Sequence, residues 1–69
     1  MKHRELTRKL RRLGCEFRRR GKGSHEIWWN PGTGGYTAIP LHKGKDIPTK
    51  TFYRILRELG ISLEELHKA

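Results

Sequence analysis

The sequence predicts an α+β two-layer sandwich, with a three-stranded antiparallel sheet covered on one face by two amphipathic helices and a short C-terminal helix. Three observations predict it. Apolar residues recur at helical spacing in two segments, 2–13 and 49–59. Three short segments between them, 15–20, 24–30 and 36–41, have strand character. The links between those three are too short for crossovers, so the strands must run as an antiparallel meander. Neither helix can bury its stripe alone, so both must lie on one face of the sheet. The 69 residues make one domain, 1–69, and a chain of this size buries only about 60% of its unfolded surface.

In the first helix Leu6, Leu10 and Leu13 form the apolar stripe, and Gly14 is placed to end it. In "CEFRRR" Cys15 and Phe17 share one face, and Glu16 and Arg18 the other. "GKG" at 21–23 is a turn whose glycines permit positive φ. Residues 24–30 form the second strand and "PGTGG" at 31–35 the second turn. "YTAIPL" at 36–41 is the third strand. Pro40 has no N–H to give a ladder and belongs at an edge or where pairing stops. Residues 42–48 form a basic loop. Phe52, Ile55, Leu56 and Leu59 make the stripe of the second helix, Gly60 caps it, and "SLEE" at 62–65 is a capping box. This order, α-β-β-β-α with a short last helix, is that of double-stranded-RNA-binding domains.

Charge points to the partner. Lysine and arginine number 16 against 7 acids, a net +9. Residues 1–22 carry ten basic and two acidic side chains, and the other 47 carry six and five. A basic surface of this density reads as a footprint for a polyanion, above all nucleic acid. The plain alternative is a solvated charged face. The single cysteine, Cys15, excludes an internal disulfide and a cysteine-rich zinc site. No apolar run reaches membrane-spanning length and no hydrophobic leader core is present, so the expected compartment is the cytoplasm, without a membrane partner. The free chain is expected to be a monomer. Dinucleotide and P-loop fingerprints are absent.

Four histidines remain to be placed. His3 and His67, near the termini, are expected to be solvated, and no pair has the i, i+4 spacing of a helical zinc site. Strand parity groups His25 with Ile27 and Trp29. With Ile27 taken as the core residue, His25 is expected half-buried on the helix-facing side. Ser24, Glu26 and Trp28 then point to the open face, where Trp28 could stack on a base or anchor a protein partner. By position alone His25 is a hydrogen-bonded residue of the sheet margin. Its chemistry offers more. Cleavage of an RNA phosphodiester needs a base for the 2′-hydroxyl proton, an acid for the leaving 5′-oxygen and cations for the phosphorane. Histidine serves for either proton transfer near neutral pH. "KGSH" places Lys22, Gly23 and Ser24 just before His25, with Arg18, Arg19 and Arg20 upstream. His42 is a candidate second proton carrier, followed by Lys43 and Lys45.

"GSHEIW" followed by "GGYTAIPLHKGKDIPTKTFYRILRELGIS" resembles the HicA toxins of toxin–antitoxin systems, over nearly the whole chain. The most specific matches are Gly23-Ser24-His25, Ile39-Pro40, Gly44-Lys45-Asp46-Ile47, Ile55-Leu56 and Gly60-Ile61-Ser62. The resemblance implies an mRNA interferase with a double-stranded-RNA-binding-domain-like fold. By the same match His25 is catalytic, no metal or other cofactor is needed, and a HicB-type antitoxin covers the toxin. The chain departs from the family pattern at His3, where a capping serine is common, and at Cys15, where an aromatic residue is. Two other readings share the fold: a non-catalytic RNA-binding module, and an adaptor whose tryptophans serve only a protein partner.

Overall fold

The computed structural model describes residues 1–69. Its elements run α1 (His3–Arg12), β1 (Glu16–Arg20), β2 (His25–Asn30), β3 (Gly35–Pro40), α2 (Thr49–Leu59) and α3 (Leu63–Lys68). The strands form one antiparallel sheet in the order β1-β2-β3. This is the α+β arrangement that the periodicities predict, with element ends within a residue or two of those expected.

One apolar cluster joins the layers. Leu6 and Leu10 of α1 meet Trp28 and Ile39 of the sheet, Ile55, Leu56 and Leu59 of α2, and Leu66 of α3. Cys15, Ile47 and Ile61 fill its margins, and burial pushes the Cys15 thiol up. The expected terminators are in place. Gly60 ends α2 at φ +69°, a left-handed conformation that suits glycine. Ser62 and Glu65 complete a reciprocal capping box on α3. Pro40 is the last residue of β3, opposite His25, so its missing N–H interrupts no ladder.

The β2–β3 turn is anchored to the end of α2. Asn30 Nδ2 and Thr33 Oγ1 both donate to the Leu59 carbonyl, at 2.8 and 2.9 Å, satisfying an acceptor that a helix end leaves open. Gly35 allows this approach. A Cβ there would run into the Glu58 carbonyl and come within 3.2 Å of Leu59 Cα.

Two expectations about side-chain direction are overturned. In β2 the face that meets the helices carries Glu26, Trp28 and Asn30, and the open face carries His25, Ile27 and Trp29. Trp28, expected on the open face, is only 1% exposed. Phe17 meets its ring edge-on at 6.1 Å, and the Arg11 guanidinium lies 5.0 Å above it. Trp28 brings the larger aromatic area of its parity into the core, while the equally large Trp29 stays on the open face. Its indole N–H donates to Glu26 Oε1 at 3.0 Å. His3, expected in solvent, bonds through Nε2 to the same carboxylate oxygen at 2.6 Å, with side chains of His3 and Glu26 16% and 14% exposed. Burial alone would raise the Glu26 carboxyl. Hydrogen bonds from Trp28 and His3, and the charges of His3 and Arg20, outweigh it and hold the carboxyl below the ordinary glutamate range.

Candidate active site at the end of the sheet

His25 opens β2, directly after the 21–24 turn, and is exposed rather than half-buried. Three hydrogen bonds fix the turn around it. The Gly21 N–H donates to the His25 carbonyl at 2.9 Å, and the His25 N–H to the Lys22 carbonyl at 3.1 Å. His25 Nδ1 lies 3.1 Å from the same Lys22 carbonyl. A carbonyl can only accept, so Nδ1 carries a proton in that bond. Nε2 makes no hydrogen bond within the chain and is the nitrogen left for an incoming group. Gly23 has φ +59°, in the left-handed region that the tight turn uses. A Cβ on Gly21 would press Ile27 Cδ1 at 3.1 Å, so the turn lies close against the strand it feeds.

The loop after β3 reaches the same end of the sheet. The Leu41 N–H donates to the Ser24 carbonyl at 2.9 Å, which sets residues 41–45 beside the turn. His42, Lys43 and Lys45 line a cleft of about 380 Å³ there, with the start of α1 as the opposite wall. Lys22, Ser24, His42, Lys43 and Lys45 are all exposed.

The three arginines of β1 diverge. The register of β1 on β2 shifts between Phe17 and Arg19, a bulge centred on Arg18. Arg18 therefore lies over the open face, its guanidinium 5.0 Å from the Trp29 ring centre. Arg19 pairs with Ile27 on that face, whereas Arg20 pairs with Glu26 towards the helices. Trp29 stacks on Tyr36 at 5.6 Å with planes 24° apart, and its indole N–H reaches Glu16 at 3.3 Å. The open face thus carries an Arg18–Trp29–Tyr36 stack, and Tyr36 is 48% exposed. Sequence reasoning placed Trp28 there instead. The short 31–34 turn sets Asn30 opposite Gly35 and so pairs Trp29 with Tyr36, but it does not say which face the pair takes. Lys2, His3 and Arg4 were missed as neighbours of the 41–45 loop, because the antiparallel bridge between Lys2 and Asp46 spans most of the chain.

No group of three or more His, Cys, Asp or Glu side chains comes together in a way that could hold a metal ion. No helix is long and apolar enough to cross a membrane.

These features define a small cationic α+β domain with a solvent-facing histidine on a glycine turn, at the sheet end where the basic loop gathers. Comparison with family models makes the class specific. The model described as the HicA toxin of bacterial toxin–antitoxin systems matches residues 3–61. The chain belongs to the HicA toxin family, and membership sets it in a toxin–antitoxin context with an antitoxin as partner. A search of curated proteins finds no match.

Proposed function

We propose that residues 1–69 act as one unit, a metal-independent endoribonuclease that cleaves mRNA in the cytoplasm, with His25 as its proton-transferring residue. The observation that carries the reading is the state of the His25 ring, exposed, tethered at Nδ1 by the Lys22 carbonyl and free at Nε2. That tether fixes which nitrogen faces substrate, as a general base or acid requires. Lys22 and the backbone of Gly23 and Ser24 stand next to it to hold the reacting phosphate. Arg18 and Arg19 extend the cationic surface over the open face, and Trp29, in place of Trp28, offers a base a ring to stack on. A HicB-type antitoxin silences the activity by covering this end of the sheet.

The test pairs a melting curve with a cleavage assay on His25→Ala. The Lys22 carbonyl keeps the His25 backbone N–H as donor after the substitution. Stability is therefore expected to fall by no more than about 1 kcal/mol, the net value of one exposed hydrogen bond. Cleavage is expected to fall by about 10²–10⁴-fold, the usual contribution of a general acid or base. RNA affinity should stay within a few-fold. Undiminished cleavage by a folded His25→Ala protein overturns the assignment.

The Arg18–Trp29–Tyr36 stack also favours a second reading, a binding module of the same fold without cleavage. Tight RNA binding by wild-type protein that leaves the RNA intact selects it.

A further inference from the structure

The cleft between the start of α1 and the 41–45 loop has no role in the fold that explains its charge. Lys2, Arg4, Lys43 and Lys45 line it with His3 and His42, and no acidic residue does. Two acids touch its lining from outside: Asp46 is engaged by the Met1 amino group at 3.5 Å and by Lys2 at 3.4 Å, which together tie the two walls, and Glu26 is bonded by His3 at 2.6 Å. Lys2 Nζ also donates to the Gly44 carbonyl at 3.1 Å. The side chains of Arg4, Lys43 and Lys45 have no ionic or hydrogen-bonding partner. Arg4, Lys43 and Lys45, left without counter-charges, repel one another, and an anion in the concavity would relieve that repulsion.

We propose that this cleft binds one phosphate of the RNA backbone, separate from the phosphate held at His25; the proposal rests on the RNA-directed reading above. Size, donors and position agree with it. The volume of about 380 Å³ admits a phosphate with its sugar and falls among small-ligand sites of about 300–1,000 Å³. No side chain caps the first turn of α1, so the N–H groups that a helix leaves open at its start remain for an anion. The cleft is also fastened on both sides of the catalytic position. Leu41 bonds Ser24, the residue before His25, and His3 bonds Glu26, the residue after it. Two residues that line the cleft thus bond the residues on either side of His25, which sets Arg4, Lys43 and Lys45 at the same end of the sheet as the catalytic position, where the next phosphate of the strand would run. Held there, the strand is fixed in direction as well as in place.

The experiment has two arms, both on ¹⁵N-labelled protein carrying His25→Ala so that RNA survives. In the first, inorganic phosphate is titrated at constant ionic strength against chloride. Saturable amide shifts are expected at Arg4, Glu5 and Lys43 to Lys45, and are expected to vanish when Arg4→Ala, Lys43→Ala and Lys45→Ala are combined. All three side chains are exposed, so the combined variant should fold, and its spectrum reports whether it does. In the second arm, single-stranded RNA binding is followed against salt. The log–log slope of the combined variant should be shallower by about 0.7, the value for one phosphate that the protein no longer neutralises. Phosphate shifts no larger than those with chloride overturn the site. Saturable phosphate binding with an unchanged RNA salt slope keeps an anion site but overturns its assignment to RNA. Wild-type protein that neither binds nor cleaves RNA, while phosphate still fills the cleft, overturns the nuclease reading and with it the assignment of the site to RNA.

Discussion

Replacing Glu26 by alanine tests the least expected part of this fold. The Glu26 carboxylate accepts from the Trp28 indole at 3.0 Å and from His3 at 2.6 Å, on the same oxygen. Trp28 is 1% exposed, so its N–H has no water to turn to when the carboxylate is removed. An unsatisfied buried donor costs about 1–3 kcal/mol, and a hydrogen bond to a charged group is worth about 1.5–3 kcal/mol. The two losses overlap because they share one acceptor, and a total of about 2–4 kcal/mol is expected. In a domain of this size each kcal/mol moves the melting temperature by about 4–8 °C, so Glu26→Ala should melt about 10–30 °C below wild type. Circular dichroism melts at neutral pH measure it. Glu26→Gln keeps an acceptor for the indole and should recover part of the loss. A second set of melts with His3→Ala, alone and combined, gives the coupling between the two residues. The pH dependence has a fixed sign. The folded carboxyl lies below its unfolded value of about 4.3, so its contribution is complete above about pH 5 and is lost as pH falls through the folded value. A Glu26→Ala protein melting within about 2 °C of wild type refutes the reasoning, because the indole would then not depend on this acceptor.

Gly35→Ala should cost at least the upper end of the about 1–3 kcal/mol typical of overpacking, because the added methyl meets the backbone of α2 and not a movable side chain; chemical denaturation measures it, and an unchanged midpoint refutes it. Trp29→Ala should weaken RNA binding by about 1–3 kcal/mol, the value of a stacked base, while Trp28→Ala should instead lower stability by about 3–5 kcal/mol. Paired binding titrations and melts separate the two, and an equal loss of stability in both contradicts the face assignment. RNA cleavage should survive excess EDTA, since no side-chain cluster is able to hold a metal; activity lost to chelator and restored by magnesium refutes a histidine-centred mechanism.

The elements of the fold were legible in the sequence because their signals are local. The leucine stripes, Gly60, the Ser62–Glu65 box and the short turns each act over a few residues, and each appears where expected. The faces of β2 were not legible. "HEIWWN" has large apolar residues on both parities, Ile27 and Trp29 on one and Trp28 on the other. Alternation alone therefore does not choose between them. The choice is made by a partner for the buried indole, and Glu26 supplies it from the same face of the same strand. His3 was misread because its contact with Glu26 spans 23 residues and depends on how α1 crosses the sheet. The glycine turn and His25 were visible as a pattern. The exposure of the ring and the tether at Nδ1 were not legible there, since an imidazole at a strand start can fall on either side.

The Arg18 bulge also bears on how readily a second copy could add a strand to this sheet. β1 is an outer strand, with one side of its backbone unpaired by the sheet, and such a side invites a further strand from another molecule. The bulge breaks the regular spacing of donors and acceptors that a visiting strand would have to match. Arg18, Arg19 and Arg20 would set three positive charges against the same strand of a second copy. At the opposite border β3 stops at Pro40, which has no N–H to offer. A cell that stores this protein beside its antitoxin thus holds a sheet whose two borders both resist cross-β growth.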